Sequence, residues 1–250
     1  MLELEGKIAL VTGSARGIGK GIALTLAEKG ADIILNDKKP NLEGDVVAAR
    51  IAEMGRRVTL IQADVSVEEE VRAMFQQIKT DFGRLDILVN NAGTSQAKTI
   101  FEASTDDWNY LLSTNLTSCF LCAKEAMELM SGQRSGRIVN ISSVVGEQGA
   151  LFGHVHYAAT KSGMLGFTKT LARTAAPLGI TVNAIAPGII ETELLLKTHG
   201  PEGIEKLSES VPLGLGTPRQ IGLAVAFLCG EGGNYITGTT LDINGGMYMR

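Results

Sequence analysis

Residues 7–19 read KIALVTGSARGIG, and the fold turns on this stretch. Lys7–Val11 (KIALV) is a nearly continuous apolar run, as expected of a parallel strand buried on both faces. It runs straight into Thr12-Gly13-Ser14-Ala15-Arg16-Gly17-Ile18-Gly19, and a helical pattern follows over Ile18–Lys29. Three glycines between a buried strand and a helix let the backbone turn tightly and approach a diphosphate. The helix N-terminus adds free N–H groups and the positive end of its dipole. The spacing is G-x-x-x-G-x-G rather than G-x-G-x-x-G, and a glycine triplet alone also suits any tight strand-to-helix turn. Gly13, Ser14, Arg16, Gly17, Ile18 and Gly19 are the candidate cofactor contacts of this turn.

Working outward, an acid follows the second strand candidate: Asp37. A carboxylate there accepts hydrogen bonds from both ribose hydroxyls of an adenosine and repels a 2′-phosphate. Its alternative reading is a turn cap. Arg16, Lys38 and Lys39 pull the other way, since cations accommodate a phosphate. The acid's position favours NAD(H), with NADP(H) left open.

The rest of the chain alternates short β-branched runs with longer amphipathic stretches. Further strand candidates are Asp32–Leu35, Val58–Ile61, Leu85–Val89, Arg137–Ile141, Ile180–Ala184 and Thr240–Ile243. Helical segments include Val67–Phe82, Asp106–Met130 and Ala158–Ala176. This pattern predicts one α/β domain over 1–250, a Rossmann fold. Its doubly wound parallel sheet has about seven strands, with helices on both faces. Only residues 191–218 are long and poor in strand signals. They read as an insertion after a strand end, placed for a substrate lid, or as an ordinary surface loop with a short helix.

Composition closes off other classes. The 250 residues carry a net charge of −4, with 44% hydrophobic residues. That suits a packed core and offers no general basic surface for nucleic acid or an anionic membrane. Glycine is in excess, 30 residues, without a Gly-X-Y period. Met1–Lys7 (MLELEGK) lacks a signal-peptide layout, and no apolar run approaches the ~18–20 residues that span a bilayer. Cys119, Cys122 and Cys229 cannot all pair with one another, which favours a reducing cytoplasm. Cys119 and Cys122 form C-x-x-C inside an apolar helical pattern with no second pair, so packing is the reading over redox or zinc chemistry. His154 and His156 lack a third ligand at metal spacing and read as substrate-loop or surface residues, so no metal site is expected. Trp108 reads as a packing residue.

Tyr157 and Lys161 stand four apart in a helical stretch, so their side chains share a face. An ammonium beside a phenol favours the phenolate; bringing its pKa from ~10 to near 7 takes about 4 kcal/mol. Such a phenol exchanges a proton with a carbinol oxygen. Alone, the pair is also an ordinary solvated helix contact. Ser142 and Ser143, after the preceding strand, supply a hydroxyl for the same oxygen or merely cap a helix.

With these residues in hand, the chain resembles the short-chain dehydrogenase/reductase family along nearly its whole length. The matching elements are TGSARGIG at 12–19, Asp64 in ADVS, NNAG at 90–93, Asn115 in STNL, and Ser143 ahead of YAATK at 157–161. PGII at 187–190 and ITGTTLDINGG at 236–246 complete the set. The resemblance implies that Tyr157 is the general acid/base. Lys161 would lower its pKa and hold the nicotinamide ribose, and Ser143 would orient the carbonyl. Asn115 would anchor a water leading from Lys161 to solvent. Asp64 and Val65 would bind adenine, and Asn91, Ala92 and Gly93 would pass under the adenosine ribose. Pro187, Gly188 and Ile190 would seat the carboxamide, with Thr192 near the diphosphate. It also implies a homotetramer.

Within the family, GRIVNISSVVG, YAATKSGMLGFTKTLAR, APGIIETE and the terminal GGMYM are similar to the 3-oxoacyl-acyl-carrier-protein reductases of fatty-acid biosynthesis. The implied function is NAD(P)-dependent interconversion of a ketone and a secondary alcohol, with a 3-oxoacyl thioester of an acyl carrier protein or CoA as substrate. Departures exist. Biosynthetic members generally use NADPH and lack an acid at Asp37. Of the arginine pair that implies carrier-protein docking, Arg134 is kept and Leu178 replaces the other. Thr94–Thr99 (TSQAKT) differs from the usual sequence, and one extra residue lies in Glu147–His156. The alternatives are an NAD-dependent polyol, sugar-acid or hydroxysteroid dehydrogenase, or a cofactor-binding regulator that has lost the chemistry.

Overall fold

The computed structural model describes residues 3–39 and 42–249, so Met1 and Leu2 of the N-terminal stretch lie outside the described residues. Seven strands form one sheet: β1 (Ile8–Thr12), β2 (Asp32–Asp37), β3 (Val58–Gln62), β4 (Ile87–Asn90), β5 (Gly136–Ile141), β6 (Ile180–Pro187) and β7 (Thr240–Ile243). Their order is β3-β2-β1-β4-β5-β6-β7, and every neighbouring pair is parallel. All seven expected strands are present, β7 with the expected bounds and the other six with shifted ends; β4 begins at Ile87, and β6 continues through Ala184 to Pro187.

The helices are α1 (Gly17–Glu28), α2 (Leu42–Glu53), α3 (Glu68–Phe82), α4 (Thr105–Leu111), α5 (Ser118–Gln133), α6 (Val144–Gln148), α7 (Val155–Ala175), α8 (Glu193–Glu209) and α9 (Pro218–Cys229). Strand side chains alternate between two apolar layers. Ala9 and Val11 of β1 join Ile33 and Leu35 of β2 under α1, α2 and α9. Ile8 and Leu10 face the other way, with Ile34, Leu88 and Ile138, onto α3, α5 and α7. Burial on both faces is why the strands read as apolar runs rather than alternating ones.

Three elements depart from the sequence expectation. The single helix expected over Asp106–Met130 is divided: a π-helical turn, Leu112–Thr117, separates α4 from α5. Such turns widen a helix locally and often mark functional positions. Trp108 does not sit in a core but stands 41% exposed on α4. The 191–218 insertion is mostly helical: α8, broken at Gly200–Pro201, buries none of its residues. Its base is pinned where Ile190 pairs with Gly216, through Glu191 N to Gly216 O at 2.8 Å and Gly216 N to Ile189 O at 3.0 Å.

The chain steps from β1 outward through β2 and β3, then returns to the other side of β1 with β4. The loops after β1 and β4 therefore diverge across the sheet and leave a crevice at its carboxyl edge, where doubly wound sheets bind ligands. No helix among the described residues is long and apolar enough to cross a membrane.

Candidate active site

The turn after β1 and the loop after β4 are tied to each other across that crevice. Asn91 N and Ala92 N donate to Thr12 Oγ1 at 3.1 and 3.0 Å. Asn91 Nδ2 returns two bonds, to Thr12 O at 2.9 Å and Gly13 O at 3.0 Å. Gly13 has φ +63°, and a Cβ there would come within 2.9 Å of Ala92 Cα. A Cβ at Gly19 would collide with the Gly13 carbonyl, so α1 starts hard against the turn. Arg16 is the N-cap of α1, with extended backbone and no side-chain cap, and no acid lies in the first turn. A helix start with a shaped glycine cradle and uncapped donors fits a diphosphate.

The neighbouring candidates fall along the same edge. Ser14 is buried and its hydroxyl donates to Asn36 O at 3.2 Å, a structural bond to β2, while Ile18 packs on the core. Asp37 ends β2 with Oδ1 accepting from Lys38 N at 2.9 Å. Lys38 Nζ turns away to Asp64 Oδ2 at 2.5 Å, and Asp64 Oδ1 also accepts from Ser66 N and Oγ. These partners together outweigh burial and hold the Asp64 carboxyl below its ordinary pKa. Val65 beside it is buried.

A second cluster lies on the far side of Gly93. A Cβ at Gly93 would stand 3.2 Å from Asn115 Oδ1 and 3.7 Å from Lys161 Nζ. Asn115, in the π-helical turn, is fully buried and satisfied: it accepts from Thr94 N at 2.8 Å and donates to Thr94 O at 2.9 Å and Thr160 Oγ1 at 3.2 Å. Lys161 is buried and donates to Ile141 O at 2.8 Å, with Nζ 5.7 Å from the centroid of the Tyr157 ring. Burial depresses its pKa to about 8.

The two serines part company. Ser142 Oγ donates to Lys161 O at 2.8 Å, anchoring α7 to the end of β5. Ser143 caps α6, its Oγ accepting from Val145 N at 3.2 Å, and its hydroxyl lies near enough to the Tyr157 phenol to favour the phenolate. Burial raises the phenol above its ordinary 10, and the Ser143 hydroxyl only partly offsets that rise. The expected lowering by Lys161 is not found, because the ammonium sits over the ring and spends a donor on Ile141 O.

The β6 end closes the crevice. Pro187 is buried at the strand terminus, and Ile190 is buried beside Gly216. Gly188 donates to Ile243 O at 3.0 Å, and a Cβ on it would press on Asn244 Cα at 2.8 Å. Its small size thus serves packing against the segment after β7. Thr192 caps α8, its Oγ1 accepting from Leu195 N at 3.3 Å, and reaches the phosphate turn: a Cβ at Gly17 would lie 3.5 Å from its methyl.

Some participants were not singled out from sequence. Glu193 accepts from Lys20 Nζ at 2.8 Å, tying α8 to α1. Asn90 and Asn140, opposite each other on β4 and β5, share a buried bond of 2.9 Å, and Asn140 Nδ2 reaches Thr168 Oγ1 at 2.9 Å. Such pairs need strand register, which composition does not carry. The cysteines are buried and free, and burial pushes the Cys119 and Cys229 thiols up to about 12. That is packing, as the C-x-x-C reading held.

Comparison with known proteins agrees with this geometry. Residues 13–248 match the family model described as enoyl-(acyl carrier protein) reductase. The 3-oxoacyl-acyl-carrier-protein reductase FabG of Vibrio harveyi is 43% identical over 99% of this chain and 100% of its own. The Escherichia coli FabG is 42% identical over the same shares. A solved structure of a putative short-chain alcohol dehydrogenase from Sinorhizobium meliloti superposes with a TM-score of 0.92 at 35% identity, covering 98% of each chain. The chain belongs to the short-chain dehydrogenase/reductase family. As a short-chain dehydrogenase/reductase it is an oxidoreductase that uses a nicotinamide cofactor.

The buried lysine makes a checkable statement. Lys161 loses its proton above about 8 in the folded chain but not until near 10.5 when unfolded. Between those values the unfolded state binds more protons, so this group's contribution to stability rises with pH. Melting temperatures of the wild type relative to Lys161→Met should climb from pH 8 to pH 10. A difference that stays flat with pH would contradict the burial of the charge.

Proposed function

We propose that the chain reduces a 3-oxoacyl thioester to the 3-hydroxyacyl thioester, with Ser143, Tyr157 and Lys161 performing the proton chemistry. The carrying observation is the Ser143–Tyr157 pair: two hydroxyls meeting where one substrate oxygen can accept from both. That arrangement suits a carbonyl oxygen better than a carbon–carbon double bond, and the full-length relatives named as 3-oxoacyl reductases point the same way. They also favour the acyl thioester over polyol, sugar-acid or steroid substrates, and the complete triad argues against a regulator without chemistry.

Gly13, Arg16, Gly17, Ile18 and Gly19 would hold the cofactor diphosphate, with Ser14 supporting the turn and Thr192 beside it. Asp37, Asp64 and Val65 would surround the adenosine, and Asn91, Ala92 and Gly93 would lie under it. Pro187, Gly188 and Ile190 would seat the nicotinamide end. When bound, that group supplies the hydride. Ser143 donates to the carbonyl oxygen and polarises it. Tyr157, its phenol kept protonated at neutral pH by burial, gives up the proton as the oxygen gains charge. Lys161, at about 8, is mostly an ammonium at pH 7 and would hold the nicotinamide ribose beside the phenol. Asn115 holds the backbone of Thr94 beside this centre.

For the cofactor we favour NAD(H). Asp37 ends β2 where the ribose would lie, and Lys38, the nearest cation for a 2′-phosphate, is paired with Asp64. The 191–218 segment would act as lid, its α8 unburied and tethered through Glu193 to Lys20. Phe101, Trp108 and Phe120 are exposed apolar residues, as are Leu223 and Phe227 on α9. They suit the proposed homotetramer, which sedimentation would contradict by finding a monomer. The free thiols fit a reducing cytoplasm. A carrier protein would meet Arg134, although its Nη2 already donates to Pro177 O at 3.1 Å.

Tyr157→Phe should lower turnover by about 10²–10⁴-fold while NADH binding persists; unchanged turnover would remove the mechanism. Steady-state rates with both cofactors should show that Asp37→Ala raises the NADPH/NADH efficiency ratio. A wild type that prefers NADPH would overturn the role given to Asp37.

A further inference from the structure

The two stretches that depart from the 3-oxoacyl reductase pattern meet in space. His154 Nδ1 and Ser95 Oγ share a bond of 3.1 Å, and His156 Nε2 and Gln96 Oε1 share one of 3.0 Å. Gly153 presses on the same strand of chain, where a Cβ would stand 3.2 Å from Lys98 O. The 94–98 loop is pinned at both ends as well, at Thr94 by Asn115 and at Lys98 by Asp107, with both Asp107 oxygens at 2.7 Å. The TSQAK loop and the loop before α7 therefore form one braced wall beside Tyr157.

His154 is the half-buried part of that wall that faces Tyr157. It has φ +57°, one of two non-glycine residues with positive φ among the described residues. A left-handed histidine is costly enough to need surroundings that impose it. Its ring stands edge-on to the Tyr157 ring, with centroids 6.1 Å apart. Burial, then the nearby His156, lowers its pKa below 6.5, so the imidazole is neutral at pH 7. A Ser95 hydroxyl donating to Nδ1 would place the ring proton on Nε2. That nitrogen is not buried and has no protein partner among the described residues.

We propose that His154 is a specificity-determining residue whose Nε2–H binds a second substrate oxygen, such as the thioester carbonyl two carbons from the reacting ketone. Ser95 sets the tautomer and the ring orientation, and Ser143 with Tyr157 takes the ketone oxygen. The two donor groups then distinguish a 3-oxoacyl substrate from a ketone with no second oxygen. Leu151 and Phe152, 89% and 87% exposed on the same loop, offer apolar surface to the acyl chain. The inference rests on the carbonyl-reductase reading above.

The test compares kcat/KM for a 3-oxoacyl-CoA with that for a cyclic ketone lacking a second carbonyl. His154→Gly keeps a residue at home in the left-handed backbone and removes the donor. Its thioester-to-ketone ratio should fall about tenfold, the size of one lost site hydrogen bond. Ser95→Ala, which frees the tautomer without touching the backbone at 154, should lower the ratio in the same direction. Equal losses on both substrates would show a structural role and overturn the proposal, as would a ratio unchanged in both variants. A wild type that reduces the ketone but no thioester would overturn the acyl reading along with it. A wild type active on thioesters with unaltered ratios in the variants would overturn only the role of His154.

Discussion

Thr12 and Asn91 bind together two strand ends that the sheet topology would otherwise send apart. β1 and β4 are neighbours, yet the chain leaves them toward opposite edges of the sheet. The Thr12 hydroxyl takes two backbone N–H groups from the β4 loop, and the Asn91 amide satisfies two carbonyls of the glycine turn. These atoms lie at a crevice where unpaired backbone groups would cost about 1–3 kcal/mol each if buried unsatisfied. Satisfying them fixes the phosphate turn against the loop that carries Gly93, and Gly93 in turn admits Asn115 and Lys161. Cofactor cradle and proton-transfer residues are thus parts of one connected edge.

Electrostatically, that edge rests on one buried ammonium. Among the described residues Lys161 has no carboxylate partner; its bond is to a backbone carbonyl and its neighbour is an aromatic face. Desolvation lowers its pKa and raises that of Tyr157, which brings a protonated phenol and a readily titrated lysine close to each other. The Ser142 bond to the Lys161 carbonyl and the close packing of Gly146 on the same residue hold α7 in register with β5. The phenol and Ser143 therefore face each other from elements that are fixed relative to one another.

Much of this was legible from residues. Apolar runs such as KIALV and RIVNI could only be strands covered on both faces, and their alternation with helices required a parallel sheet. Helical spacing and strand ends are local properties and made Tyr157, Lys161 and the two serines candidates, but their roles, and Ser143 over Ser142, came from the family resemblance. The π-helical turn at Asn115 was not, since it depends on an amide reaching Thr94 across sequence. The direction of the phenol's pKa was misjudged for a related reason: spacing gives proximity of charge but not depth of burial. Trp108 was expected to pack, yet its place on α4 leaves it partly in solvent. Gly188 was read from the resemblance as a cofactor contact, and the fold adds a packing reason for the glycine, since a side chain there would press on Asn244.

A single labelling measurement tests the account at its centre. NADH deuterated at its reactive carbon would be incubated with the enzyme and a 3-oxoacyl-CoA, and the product analysed by mass spectrometry. The account predicts a 3-hydroxyacyl product carrying one deuterium on the carbinol carbon. Absence of the alcohol, or deuterium retained only on a carbon beside an intact ketone, would contradict it.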